Sequence, residues 1–162
     1  MSDVITFTLN ATPTPQQRAR HSSAHGFHRS YKSESQEANE DTLHALLLPH
    51  VPKIPMTEAV ILEFTAFFPP AKSISKKRRG LMLEGKSHHT KRPDLDNICK
   101  QLKDAMTRMR FWQDDDQVVR LVCEKRYGEA GLWQIRITEI PEGDTLPAVE
   151  FTTNTVWTKL NT

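Results

Sequence analysis

The chain has 162 residues, the usual size of one domain with one modest hydrophobic core, and 37% of them are hydrophobic. No run approaches the roughly 18 apolar residues of a membrane span and Met1 to Asn10 lack a basic signal-peptide start, so a soluble cytoplasmic protein without membrane contact is expected. The formal net charge is only +2, yet residues 71–92 hold eight Lys and Arg against Glu84 alone, a local +7 in a chain that is otherwise −5. Such a segment attracts a polyanion, with nucleic-acid backbone the obvious candidate, and a solvated loop or localisation signal is the plainer reading. Cys99 and Cys123 form no CxxC pair and are too few for a disulfide scaffold, which fits a reducing compartment and a place in the core for both.

In chain order, Ile5, Phe7 and Leu9 alternate with Thr6 and Thr8 as a half-buried strand. Residues 11–33 show no period, and Gln16-Gln17-Arg18-Ala19-Arg20 is expected on a loop. Ser33 with Gln36 resembles a capping box opening a helix that carries Leu43, Leu46 and Leu47 and stops at Pro49. Ala59 to Phe68 is apolar and β-branched enough for a central strand, ended by Pro69-Pro70, and the basic segment follows as a loop. Ile98, Leu102, Ala105, Met106 and Met109 mark one face of an amphipathic helix. Val118 to Lys125 and Trp133 to Ile140 read as two strands joined through Tyr127 to Gly131 as a hairpin. The expected fold is a single α+β domain, β-α-β-α-β-β, with a mixed sheet and packed helices over residues 1–140. Residues 141–162 are a polar C-terminal extension around Val156-Trp157, where Trp157 is expected to pack on the core or on a partner subunit.

Carboxylates gather at both ends of the second helix. Asp94 and Asp96 are two apart, pointing to one side if the segment is extended, near a helix N-terminus that favours anions. Asp114, Asp115 and Asp116 are adjacent like charges that repel unless solvated or neutralised by a cation. Hard oxygen ligands without His or Cys suit Mg²⁺, with Mn²⁺ as a substitute, and an ion of that kind suits phosphodiester hydrolysis. Lys100 lies one turn after Asp96 and one before Asp104, within reach of the same site. Each signal has an ordinary alternative: an N-cap at Asp94 or Asp96, a surface ion pair at Lys100, a solvated turn at 114–116. An EF-hand is excluded because Ile98 stands at a ligand position, and Thr90-Lys91-Arg92-Pro93 is not the apolar strand that precedes the DxD of a haloacid-dehalogenase-type phosphatase.

Lys91 through Val119 run basic-Pro-Asp-hydrophobic-Asp-Asn, then Lys, then Asp-Ala, then an aromatic with Asp-Asp and Gln-Val, and this resembles the RusA family of Holliday-junction resolvases. The resemblance spans roughly residues 4–140. It implies metal-binding acids at Asp94, Asp96 and Asp115 with Asp114 as the second of its pair, and an active-site lysine at Lys100; which of Asp114, Asp115 and Asp116 ligate stays open. It further implies a homodimer, common in phages and prophages, that nicks opposed strands of four-way DNA junctions in recombination and repair. DNA contacts are expected from Lys76, Lys77, Arg78, Arg79, Lys91 and Arg92, and from Arg18 and Arg20 on the loop after strand one. Apolar residues left over from the central strand Ala59 to Phe68, or Val156-Trp157, would supply the self-contact. Two departures stand out: Arg110 where relatives often carry Gly, and Asp116 where a small residue is usual. A non-catalytic junction-binding module and a metal-dependent phosphatase are the rival readings.

Overall fold

The computed structural model describes residues 3–16, 20–24, 27–31 and 33–148. A four-stranded mixed sheet carries the domain, with spatial order β1 (Val4–Leu9), β6 (Leu132–Ile140), β4 (Ala59–Phe68), β5 (Val118–Tyr127). β4 runs antiparallel to β6 and parallel to β5, and β1 pairs antiparallel with β6. The α+β class and mixed sheet are as expected.

Alternation decides which face is buried. Phe7 and Leu9 of β1, Val60, Leu62, Phe64, Ala66 and Phe68 of β4, and Trp133, Ile135 and Ile137 of β6 enter one core with α1 (Glu34–Leu47) and α3 (Leu95–Arg108). α3 contributes Ile98, Leu102, Ala105 and Met106, the face that its periodicity marks. Each such large side chain contributes about 1.5–3 kcal/mol on full burial. α1 starts where expected, with the Ser33 hydroxyl accepting from Gln36 N at 3.3 Å, and ends at Leu47 in a 3-10 turn that contains Pro49. Gln36 Nε2 donates inward to Glu40 Oε1 at 2.8 Å and to Gln101 Oε1 at 3.3 Å, which ties α1 to α3.

Three expectations are corrected. β5 and β6 form no hairpin, because β4 lies between them. β4 has the chain's most apolar strand sequence and so takes the centre, where both neighbours cover it. The connector instead crosses the end of β4, where Gly128 N donates to Phe68 O at 3.1 Å. At Gly131 a Cβ would lie 2.1 Å from Thr12 Oγ1, so only glycine fits there. The basic segment is not all loop: Ser75 caps α2 (Lys76–Leu83), its hydroxyl accepting from Arg78 N at 3.4 Å. Residues 11–33 hold a separate antiparallel pair, β2 (Arg20–Ala24) and β3 (Phe27–Tyr31). The extension is described to residue 148, where Arg120 Nη1 donates to Pro147 O at 2.6 Å; Val156 and Trp157 lie outside the described residues.

The end of α3 explains the Arg110 departure. Phe111 N donates to Met106 O and Arg110 N to Thr107 O, both at 3.1 Å, which is a Schellman cap with Arg110 at the left-handed position, φ 65°. Glycine holds that conformation without the Cβ penalty. Arg110→Gly is therefore expected to stabilise the fold by about 1 kcal/mol and raise Tm by roughly 2–4 °C, read by calorimetry; an unchanged or lower Tm means that the arginine compensates through its side chain.

Candidate active site

α3 begins at a residue that is extended and does not cap. Asp94 occupies the N-cap position at φ −72° and ψ 143°, but its carboxylate makes no capping hydrogen bond, so the ordinary role for this residue is unfilled. Asp96 lies in the first helical turn, so only the first of the two acids is on extended chain. Both are exposed. The preceding segment is fastened to the sheet from beneath: Lys125 Nζ of β5 donates to Lys91 O and Pro93 O, both at 2.8 Å. The His89 ring stacks on Phe68 of β4 at 4.4 Å and tilts against Tyr127 of β5 at 4.9 Å. Burial, then the nearby charge of Lys125, pushes the His89 imidazole below its ordinary pKa.

The second acidic group sits on a 3-10 turn, Asp115–Gln117, between α3 and β5. Gln117 places it. Its Oε1 accepts from Gln113 N at 2.7 Å and Asp114 N at 2.8 Å, while its Nε2 donates to Met56 O at 3.1 Å and Glu58 O at 3.0 Å just before β4. Asp114 Oδ1 accepts from Asp116 N at 3.2 Å and caps the turn. One carboxylate oxygen from each of Asp114, Asp115 and Asp116 lies within 4.8 Å of the others, the one such set of three among the described residues. Their donors are all hard oxygens, which fits a divalent cation that prefers oxygen. Lys103 Nζ pairs with Asp115 Oδ2 at 3.0 Å, and this hydrogen bond and charge hold the Asp115 carboxyl below the usual carboxylate range.

Of the residues expected at the site, Asp94 and Asp96 stand outside that set of three. Lys100 is exposed on α3 with no ion pair among the described residues. Asp104 is engaged elsewhere, accepting from Gln16 Nε2 at 3.0 Å. Lys103 is the missed residue: it falls seven after Asp96, on the same helix face two turns on, about 10 Å along the axis. That spacing is visible in sequence, but its partner is not. Gln117 and Lys125 were also given no role, because each acts on backbone carbonyls that are remote in the chain.

Of the basic residues, Lys76, Lys77 and Arg78 are exposed on α2, whereas Arg79 is taken by Glu129 at 3.0 Å. Exposed Lys91 and Arg92 line, with Ile74, Met82, His89 and Tyr127, a cleft of about 180 Å³ between α2 and the Asp94 loop. Arg18 lies outside the described residues, and Arg20 is described only by its backbone in β2.

A small α+β domain with an all-oxygen acidic cluster and a cationic helix carries two features that cleavage of nucleic acid needs, a place for a cation and a surface for an anion. The family model for Endodeoxyribonuclease RusA matches residues 10–138. The "Crossover junction endodeoxyribonuclease rusA" of Lactococcus phage r1t is 34% identical over 134 residues, covering 83% of this chain and 95% of that protein. The "Uncharacterized protein YqaN" of Bacillus subtilis (strain 168) is 29% identical over 140 residues, covering 85% of this chain and 98% of its own. The chain belongs to the RusA family of endodeoxyribonucleases and is a nuclease.

Lys125 provides a test of how the Asp94 loop is held. Lys125→Met keeps the aliphatic stem but removes both hydrogen bonds to the loop. Because one of the two is exposed, the stability cost is expected to be only about 1 kcal/mol. Nuclease turnover is expected to fall at least tenfold, measured at saturating substrate, and an unchanged turnover assigns Lys125 to stability alone.

Proposed function

We propose that this nuclease is a Mg²⁺-dependent, structure-selective endonuclease that resolves four-way DNA junctions by paired nicks in recombination and repair, as a homodimer. Residues 1–140 form the catalytic unit and 141–162 an extension to it. The observation that carries the proposal is the set of charges around α3: an uncapped Asp94 and exposed Asp96 at its start, the Asp114–Asp116 set joined to it by Lys103, and the cationic α2 upstream.

Asp94 and Asp96 at the start of α3, and Asp115 with Asp114 beyond its end, are the proposed ligands of the divalent metal, and Mn²⁺ would substitute. When bound, Mg²⁺ neutralises charge at the scissile phosphate and acidifies the attacking water. Gln117 holds the Asp115 turn against β4 and Lys125 holds the Asp94 loop against β5, so both acidic groups keep their places as substrate arrives. Lys100 stabilises the charge that develops on the phosphate in the transition state. Lys76, Lys77 and Arg78 bind the phosphate backbone with Lys91 and Arg92, and Arg18 and Arg20 are further proposed DNA contacts; Arg79 contributes less because Glu129 occupies it. Two opposed nicks require two acidic clusters, hence two copies on a two-fold axis. Strand β4 is central and buried, so it cannot supply the self-contact expected of it; the exposed Val119, Leu121 and Val122 on edge strand β5 are adjacent apolar residues that could supply one, as could the Val156-Trp157 pair.

The deciding experiment incubates the purified chain in Mg²⁺ with a four-way junction, duplex, single strand and nitrophenyl phosphate. Symmetric nicks in the junction support the proposal. Binding without cleavage supports a non-catalytic module, and ester hydrolysis without DNA cleavage supports a phosphatase. Asp96→Asn is expected to abolish nicking and keep junction affinity, whereas Asp116→Asn retains most activity; equal loss at both would shift the ligand assignment within the acidic turn. Replacing Lys76, Lys77 and Arg78 by Gln should weaken binding to every DNA form and flatten the slope of log K against log salt by about 0.9 per lost phosphate contact. An unchanged slope in a titration from low to physiological salt removes α2 from the DNA surface.

A further inference from the structure

The chain has two cysteines, 24 positions apart, and the fold brings them together: Cys99 Sγ lies 3.1 Å from Cys123 Sγ. Both are free thiols. Cys99 is buried on α3, three residues after Asp96 and next to Lys100, and Cys123 is half-buried on β5, two residues before Lys125. As alternate residues of one strand, Cys123 and Lys125 share the face of β5 that meets the helix side. Ordinary core packing would accept two cysteines, but it does not require that the sulfurs face one another. The remaining gap is only about 1 Å more than a disulfide bond. β5 is the edge strand and Cys123 keeps part of its surface open, so a small reagent has a route to that sulfur.

We propose that Cys99 and Cys123 are a thiol–disulfide modification site, whose oxidation bonds the first half of α3 to β5 and slows the nuclease. The consequence for activity rests on the function proposed above; formation of the bond does not. The Cys99 S–H donates toward Cys123, which holds the proton on Cys99 and draws the Cys123 pKa down, so Cys123 is the first nucleophile. With a small organic disulfide as oxidant, the Cys123 thiolate attacks one of its sulfurs, forms a mixed disulfide and expels one small thiolate. Cys99 then gives up its proton and attacks Cys123 Sγ, which forms the internal bond and expels the second small thiolate. Two protein thiols are oxidised, one small disulfide is reduced to two thiols, and the two protons leave with them. Closure draws α3 toward β5 at the residue between Asp96 and Lys100, which displaces the helix start relative to the loop that Lys125 holds.

The test exposes the full chain to oxidised glutathione, quenches, alkylates under denaturing conditions with iodoacetamide, and measures intact mass, linked peptides and junction nicking on one sample. The expected product is lighter by two hydrogens, unalkylated, yields a Cys99–Cys123 linked peptide, and nicks several-fold more slowly until dithiothreitol restores both. Cys123→Ala should nick at a rate that oxidised glutathione does not change. Two alkylated cysteines, or a persistent glutathione adduct, overturn the modification site. A linked peptide with an unchanged nicking rate overturns its coupling to activity. If the reduced chain itself does not nick any junction, the proposed function fails, while mass and peptide data still decide the disulfide.

Discussion

Three consecutive carboxylates repel one another, and a polypeptide holds them together only if the backbone between them is fastened from outside. Here the fastening is a single amide. Gln117 spends both its donors on the carbonyls of Met56 and Glu58 and both its acceptor positions on the N–H groups of Gln113 and Asp114, so its hydrogen-bonding capacity is filled. Sliding the acidic turn along β4 would break these bonds as a group. The buried Phe111 and Trp112 just upstream anchor the same stretch from the apolar side, and Met56 N donates to Phe111 O at 2.9 Å. Electrostatic repulsion is thus opposed by these neutral backbone contacts and by the Lys103 ammonium on Asp115.

Helix α3 then acts as a strut between two anchored ends. At its start the Asp94 loop rests on Lys125 and on the stack of His89 with Phe68 and Tyr127. At its end the Schellman cap turns the chain into the Phe111-Trp112 anchor and on to the acidic turn. Lys103 joins the helix to Asp115 across the intervening space. The supports at the helix start, Lys125, Phe68 and Tyr127, come from strands β4 and β5, the parallel pair that α2 and α3 connect. This is why the order of the sheet matters to the site: with β5 paired to β6 as a hairpin, Lys125 and Tyr127 would not lie beside Phe68 under the loop.

The elements with a strong period were legible before any coordinates. Alternation in β1 and β6, the four-and-three spacing in α3, Ser33 as a cap and Pro49 as a stop all depend on neighbours within one turn or one strand, and local chemistry decides them. α2 was missed because eight residues containing four cations and Gly80 show little apolar stripe; Ser75 as its cap was the available signal. The motif from Lys91 to Val119 identified the family before the fold was known, and family membership is what the comparisons establish.

Sequence alone determined which residues carry charge, which faces are apolar and where the acids stand in the chain, because those properties belong to the residues themselves. Tertiary structure decided what the charges meet. Lys103 rather than Lys100 pairs with Asp115, Asp104 is occupied by Gln16, Arg79 is occupied by Glu129, and Cys99 finds Cys123. It also decided that the four-residue link after β5 spans a strand instead of turning a hairpin. A pairing between residues distant in sequence depends on the relative placement of elements, and that placement follows from burying β4 on both sides, a global packing outcome with no local signature in the residues that meet.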